Sequence, residues 1–143
     1  PLLVRWPKKI RPGTVNSQPS VQYDMMATFA ELAGIPVPAS TDGLSLLPAL
    51  LGKKQPVHEY LYFEYPENGG QVAIRLGDWK GIRVGVVKDP KAPWQLYNLA
   101  TDPAETNDLA AQQPAIIQRL NEIQRREHQP AHIKDWEIID PKF

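Results

Sequence analysis

The feature that most constrains the fold is a series of short strand-like segments between residues 59 and 99. Aromatic and β-branched residues fill each segment, and glycine-containing turn signals separate them. Short connections of this kind join neighbouring strands that run antiparallel. The pattern therefore predicts an antiparallel meander. Its strands are predicted over residues 59–65, 71–75, 80–84 and 94–99.

A helix is predicted after this meander. Pro114 stands where the first turn of a helix tolerates proline. Ile116, Ile117, Leu120 and Ile123 follow it at helical spacing, and this apolar stripe should pack across one face of the sheet. The predicted fold class is therefore α+β, a small antiparallel sheet packed with a C-terminal helix.

The first third of the chain has a different pattern of predicted elements. Residues 2–6 form a short apolar run closed by Pro7, which predicts a buried strand. A helix is predicted from Ser20 to Ala33, where Gly34 stops it. The apolar face of this helix is predicted to consist of Val21, Met25, Thr28, Phe29 and Leu32.

The pattern of residues changes after Gly52, which predicts a boundary between two regions. A short apolar helix over residues 45–51 ends at Gly52, and residues 53–56 resemble a linker. The final segment has mixed charge, with Trp136 and Ile138 as candidates for docking it onto the sheet. The predicted divisions are residues 1–52, residues 57–128 and an irregular tail over residues 129–143.

Composition excludes several classes of protein. The 16 basic and 16 acidic side chains give a formal net charge of zero, so no electrostatic signature for nucleic acid or an anionic membrane is present. The absence of cysteine excludes disulfides and thiolate metal sites. No apolar run approaches the roughly 20 residues that cross a bilayer. At 42% hydrophobic residues, the chain can bury a core.

Four stretches, taken in order, resemble the C-terminal end of the sulfatase family, within the alkaline-phosphatase-like superfamily. They are Pro1–Pro7 with Ile10–Thr14, Gln22–Ile35, Asp42–Pro48, and Arg75–Lys80 through Gln95–Leu99 to Asp102–Leu109. The resemblance implies that residues 1–52 close a large α/β domain and that residues 57–128 form a smaller subdomain. It also implies that the whole protein hydrolyses sulfate esters of a carbohydrate or an aryl alcohol.

The resemblance implies chemistry that this chain does not contain. Sulfatases use a formylglycine made from a Cys/Ser-x-Pro-x-Arg motif and a divalent cation, usually calcium, held by carboxylates. Residues 17–21 have Ser-x-Pro but place Val21 where the motif requires arginine. The Asn107-Asp108 pair fits a capped turn better than a metal site. We therefore predict no catalytic residue, metal ligand or cofactor here.

The expected partner is the N-terminal catalytic portion of the same protein, which would supply the nucleophile and calcium. The chain alone is expected to be inactive. The sequence itself does not indicate a cellular compartment, whereas the resemblance to sulfatases suggests a periplasmic or secreted protein.

The candidate substrate-binding region is the loop that leads into the second strand of the meander. The resemblance implies that this loop can reach the active site. Amide and guanidinium donors suit the hydroxyls and anionic groups of a sulfated sugar. A solvated hairpin is the alternative interpretation. The candidate residues are Glu64, Asn68, Gln71 and Arg75.

Other interpretations stay open at this point. The protein could be a noncatalytic carbohydrate-binding or structural module, or a phosphate-ester hydrolase of the same superfamily. A sugar-stacking surface is conceivable, although aromatic residues at alternate strand positions usually pack in a core. The aromatic residues concerned are Tyr60, Tyr62, Tyr65, Trp79 and Trp94. His58, His128 and His132 lack metal-binding spacing and are expected at the surface.

Overall fold

The computed structural model describes residues 2–139, which divide into two compact units, one ending at His58 and the other beginning at Glu59. The second unit contains a four-stranded antiparallel sheet with strand order β1-β2-β3-β4. The predicted meander is therefore confirmed, with small shifts at its ends. The strands are β1 (Leu61–Tyr65), β2 (Gln71–Leu76), β3 (Trp79–Val84) and β4 (Gln95–Asn98).

The register of the strands gives the sheet one buried face. Ile74 of β2 lies opposite Gly81 of β3, which lies opposite Leu96 of β4. Val72, two residues before Ile74, points the same way because side chains alternate along a strand. All four residues are buried. Val72, Ile74 and Leu96 are fully inaccessible to solvent.

The helix α3 (Pro114–Glu127) covers this face, as the sequence predicted. Leu120 and Ile123 are each 0% exposed and belong to the same core cluster as the buried side chains of the sheet. Burying an aliphatic side chain of this size stabilises a fold by about 1.5–3 kcal/mol. Arg125 and Arg126 lie in the last turn, where positive charge suits the helix dipole. The α+β fold class is confirmed.

The segment after α3 returns to the sheet. A short 3₁₀ turn spans Lys134–Trp136, and Ile138 and Ile139 then enter the core cluster. Ile138 docks the segment as predicted, whereas Trp136 is 58% exposed and does not. Pro1 and residues 140–143, which belong to the predicted first region and tail, lie outside the described residues. Across residues 2–139, no helix has the length and apolar character needed to cross a membrane.

The first unit contains two helices, α1 (Asp24–Ala33) and α2 (Leu47–Leu50). Helix α1 begins at Asp24 rather than at Ser20, because the backbone N–H of Val21 donates to the Asp24 carboxylate and closes a turn ahead of the helix. Its end is as predicted, at Gly34, which adopts the left-handed conformation with φ of 69°.

Two expectations for the first unit were wrong. Two members of the predicted apolar face, Phe29 and Leu32, are 63% and 43% exposed, while the buried positions of α1 are Asp24, Ala27, Thr28 and Ala30, of which only Thr28 belongs to that face. Residues 2–6 form no strand, and Leu3 is 92% exposed. A strand needs a neighbouring strand for its backbone donors and acceptors. Among residues 2–58 the structure describes none.

The packing of α3 predicts that Gly81 tolerates no side chain. A Cβ at position 81 would overlap Leu120 Cδ1 and come within 3.2 Å of Trp94 Cε3. We expect Gly81→Ala to lower the free energy of unfolding by about 1–3 kcal/mol, because the surrounding core must shift. Urea denaturation measures the change.

The matched test introduces Gly81→Ala into a Leu120→Ala background. The truncated side chain leaves room for the new methyl group, so the cost of Gly81→Ala should shrink there. Equal costs in both backgrounds would contradict the overlap with Leu120.

Candidate functional site

Two of the candidate substrate-binding residues lie on the outer face of the sheet. Gln71 and Arg75 alternate along β2 with the buried Val72 and Ile74, so they point away from α3. Four residues of strand separate them by roughly 13 Å. They are therefore too far apart to bind one sulfate group together, and they suit separate parts of an extended ligand.

Asn68 lies in the turn between β1 and β2. The turn is closed by the backbone N–H of Gly70, which donates to the carbonyl of Glu67 at 3.0 Å. Asn68 itself has φ of 54°, a left-handed conformation that asparagine tolerates better than most residues. Gly70 has φ of 79°, and a Cβ there would lie 2.9 Å from two valine methyl groups. The predicted hairpin turn is thus held in place by close packing.

Arg75 has a cationic neighbour on the outer face. It lies opposite Lys80 of β3, and its Nε donates to the carbonyl of Gly77 at 2.7 Å. Both carboxylate oxygens of Glu105 accept from Lys80 Nζ at 2.7 Å. Arg75, by contrast, forms no ion pair with any residue between 2 and 139.

Glu64 is on the other side of the sheet from Gln71 and Arg75. Its Oε1 accepts a short hydrogen bond from the hydroxyl of Tyr62 and lies 2.8 Å from His128 Nδ1. Burial and this carboxylate together raise the pKa of Tyr62, so its hydroxyl stays a donor. The structure therefore places Glu64 apart from the other candidate residues, within the contacts of the fold.

His128 lies between two carboxylates. Its Nδ1 is 2.8 Å from Glu64 Oε1, and its Nε2 is 3.4 Å from Glu137 Oε1. The side chain is 12% exposed, so the surface position expected for it was wrong. Glu64 lies far from His128 in the chain, and Glu137 lies in the segment after α3. No local spacing of residues therefore predicts either pairing.

The other two histidines differ from each other. His58 is 13% exposed, and its Nε2 lies 2.8 Å from Oδ1 of the fully buried Asp24, so its expected surface position was also wrong. Asp24 accepts from the backbone N–H groups of Val21 and Leu44 as well. This cluster fixes the start of α1. His132 is exposed, as expected.

Two aspartates after β4 form a structural turn. Asp102 accepts hydrogen bonds from the backbone N–H groups of Thr106 and Asn107, and these bonds, that of Asn107 foremost, lower its pKa. Asp108 accepts from the backbone N–H groups of Leu96 and Ala110. The interpretation of Asn107-Asp108 as part of a capped turn is confirmed.

The described residues hold no cluster suited to a metal. Between residues 2 and 139, no group of three or more histidine, cysteine or acidic side chains is placed to bind an ion. Of the aromatic residues considered for sugar stacking, Tyr60, Tyr62 and Trp79 pack against the core and Trp94 is 6% exposed. Tyr65, at 47% exposed, is the exception. The interpretation of these residues as core is thus correct for four of the five.

Comparisons with known proteins identify relatives of this chain. Residues 1–130 match the family model described as N-sulphoglucosamine sulphohydrolase, C-terminal. The N-acetylglucosamine-6-O-sulfatase of Bacteroides thetaiotaomicron is 33% identical over 141 residues, which cover 88% of this chain and 25% of that protein. The ulvan-active sulfatase of Formosa agariphila is 44% identical over 142 residues, covering 78% of this chain and 28% of that protein.

Solved structures show the same relationship. The protein BT4656, in complex with its substrate D-glucosamine-2-N,6-O-disulfate, superimposes with a TM-score of 0.69 at 31% sequence identity. The match covers 85% of this chain and 27% of that protein. The chain thus spans about a quarter of the length of the relatives it matches.

The contacts of Glu137 predict how the final segment is held. Burial raises the pKa of this carboxyl, but hydrogen bonds from the backbone N–H groups of Ala131 and Ile139, together with the nearby His128, bring it below the usual 4.5. A lowered folded-state pKa means that the carboxylate stabilises the fold above about pH 4.5 and that this contribution is lost as the pH falls.

We expect Glu137→Gln to speed amide hydrogen exchange at Ile138 and Ile139 by about tenfold at neutral pH, since charge-assisted hydrogen bonds are lost. Exchange, corrected for its intrinsic pH dependence, should also accelerate in the unmodified chain between about pH 5 and pH 3, and less so in the variant. Glu122→Gln, on the exposed side of α3, is the control. Equal effects of both substitutions would refute the role of Glu137.

Proposed function

Because the chain belongs to the sulfatase family, as its C-terminal domain, we propose that it is the C-terminal part of an enzyme that hydrolyses sulfate esters of carbohydrates. The observation that carries the proposal is the family match over residues 1–130 together with relatives that are themselves sulfatases. No comparable observation favours a noncatalytic module or a phosphate-ester hydrolase.

The names of the relatives support a sulfated glycan as the substrate. One relative is named for a 6-sulfated amino sugar, another for ulvan, and a solved relative holds a disulfated glucosamine. The first name and the bound disulfate both describe a sulfate that is attached to a sugar. We therefore favour a sulfated saccharide over a simple aryl sulfate as the natural substrate of the whole protein.

The chemical step is assigned to the portion of the protein that precedes this chain. The chain has no cysteine, and its Ser-x-Pro sequence at residues 17–19 lacks the arginine of the formylglycine motif. Calcium does not fit the described residues, since no suitable carboxylate cluster exists among them. We place both the formylglycine and the calcium site of the proposed enzyme in that preceding portion.

The exposed apolar side chains of the first unit support such a partner. On α1, Met26 and Phe29 are 58% and 63% exposed. Residues 2–4, with α2, line an open cavity of about 490 Å³ whose walls include Ile10 and Leu46. Soluble proteins rarely expose contiguous apolar surface unless another surface covers it. We propose that the preceding portion covers these residues and supplies strands beside residues 2–6.

The outer face of β2 is our candidate for substrate contact. Arg75 offers a guanidinium without a carboxylate partner among residues 2–139, and Gln71 offers an amide at the other end of the strand. Asn68 extends the polar surface into the adjoining turn. We assign these three residues to the non-reacting part of the saccharide and leave Glu64 in its contacts with Tyr62 and His128.

Self-association tests the proposed covering of the first unit. We expect the 143-residue chain alone to form oligomers, because Leu3 and Phe29 expose apolar surface that lacks its partner. The double variant Leu3→Lys, Phe29→Lys should shift the chain toward monomer in light scattering. Val87→Lys, at a comparably exposed position of the second unit, is the control. A monomeric unmodified chain would overturn the proposal.

Substrate contact is tested in the whole protein. Gln71→Ala and Arg75→Ala should each lower kcat/KM for the sulfated glycan by about tenfold, because contacts to remote groups orient the substrate. Turnover of a minimal aryl sulfate, which lacks those groups, should change little. Gln118→Ala and Arg125→Ala, at exposed positions of α3, are the matched controls.

Equal losses on both substrates would indicate misfolding or a role at the reacting sulfate. Unchanged kinetics on the glycan would mean that β2 and its turn form only a hairpin. Either result would contradict the assigned contacts.

A further inference from the structure

Positive charge is concentrated in a turn near the start of the chain. Arg5, Lys8, Lys9 and Arg11 lie within seven residues, and all four are exposed. No acidic residue precedes Asp24 in the sequence, whereas the residues from Asp24 onward include 12 basic and 16 acidic side chains. The formal net charge of zero is therefore unevenly distributed along the chain.

The four cationic side chains have no anionic partner in the part of the chain that the structure describes. Within residues 2–139, none of them forms an ion pair or donates a side-chain hydrogen bond. A group of exposed cations without acidic neighbours produces a positive surface potential that attracts anions. We call this group, Arg5 with Lys8, Lys9 and Arg11, the basic turn.

Hydrogen bonds fix the backbone of the basic turn. The carbonyl of Trp6 accepts from the backbone N–H groups of Lys9 at 3.1 Å and of Ile10 at 3.0 Å. Pro7 and Lys8 occupy the two central positions, and Lys8 has φ of 67°. This is the pattern of a type II turn, in which proline suits the first central position and glycine the second.

Lys8 is an unfavourable residue for the backbone conformation that it adopts. A lysine is strained at positive φ, whereas glycine has no Cβ to clash there. Local structure thus favours glycine at position 8, and the Lys8 side chain forms no hydrogen bond or ion pair with residues 2–139 that would favour lysine. Strained residues are frequent at binding sites. The charge of Lys8 is therefore the property that requires an explanation.

From these observations, we propose that the basic turn is an accessory binding site for a linear sulfated polysaccharide. Its cations follow one another along an extended stretch of chain, so they match a partner whose anions also follow one another. Guanidinium and ammonium groups both bind oxyanions. The site belongs to the first unit, whereas the contacts proposed for β2 belong to the second. It retains the polymer and takes no part in the chemical step.

The choice of a sulfated polysaccharide among polyanions rests on the proposed function, whereas the excess charge and the strained lysine are features of the structure. A nucleic acid duplex or a lipid bilayer presents an extended anionic surface. Such a surface would also meet residues after the basic turn, where acidic side chains outnumber basic ones. A single polysaccharide strand can contact the basic turn alone, so it fits better.

Binding is measured on the whole protein and requires no turnover. The probes are dextran sulfate, unsulfated dextran, double-stranded DNA and vesicles that contain phosphatidylserine, the three anionic probes at equal concentrations of charged groups. We expect saturable binding of dextran sulfate that weakens as salt is added, and no binding of unsulfated dextran. DNA and the vesicles should bind at least about tenfold more weakly.

Two matched double variants assign the binding to the basic turn. Lys9→Ser with Arg11→Ser removes two of its charges, whereas Lys53→Ser with Lys54→Ser removes two charges from an exposed pair elsewhere in the first unit. The first should weaken dextran sulfate binding about tenfold or more. It should also reduce the dependence of log affinity on log salt concentration by about two, since each lost contact releases one counterion fewer. The second should change affinity less than about twofold.

Lys8→Gly separates binding from stability. Glycine relieves the strain at positive φ, so the urea midpoint of this variant should be no lower than that of the unmodified protein. Its affinity for dextran sulfate should nevertheless fall about threefold, because one cation is lost. A purely structural role for Lys8 predicts the reverse, a lower midpoint with unchanged affinity.

Several outcomes would overturn the proposal. They are no saturable binding of dextran sulfate, equal binding of unsulfated dextran, DNA or the vesicles, equal effects of the two double variants, or an unchanged affinity of Lys8→Gly. Binding of dextran sulfate through the basic turn by a whole protein that hydrolyses no sulfate ester would instead refute the proposed function and leave this site standing. Hydrolysis of a sulfate ester without any contribution of the basic turn to binding would do the opposite.

Discussion

The close approach of helix α3 to the sheet at Gly81 is the contact on which the second unit depends. Leu120 occupies the space that a side chain at position 81 would fill, with Trp94 beside it. This lets Leu120 and Ile123 reach the same layer as Val72, Ile74 and Leu96, all without solvent exposure. One face of the sheet is thereby committed to the core, and the side chains of the other face remain available for contacts.

The fold of the second unit follows from local sequence signals, and much of the first unit does not. Alternation along the strands and the helical spacing after Pro114 depend on neighbouring residues, so they predicted β1 to β4 and α3 well. The apolar run at residues 2–6 and the face of α1 that bears Phe29 predicted burial. Burial of that kind requires a covering surface, and no strand among residues 2–58 provides one.

The candidate site was predictable only in part, for a related reason. Strand periodicity places Gln71 and Arg75 on one face of β2, whereas Glu64 is assigned to the other face only by the pairing of β1 with β2, in which it lies opposite Val72. The pairing of Glu64 with His128 joins residues 64 positions apart, and the pairing of His58 with Asp24 joins residues 34 apart. The hydrogen bonds from Arg83 to the carbonyls of Ala92 and Pro90 depend on the path of the loop after β3. Contacts between residues that are distant in the chain produce no periodic pattern in the sequence.

We propose that this chain is the C-terminal part of a sulfatase and that the chemical step takes place in the portion that precedes it. The most direct measurement is sulfate release from a sulfated saccharide after the chain is mixed with the separately produced portion of the protein that precedes it, in the presence of calcium. The account predicts no release by either piece alone and saturable release that rises with the amount of chain added. Release by this chain alone, above that of a heat-inactivated sample, or no dependence on the chain, would contradict it.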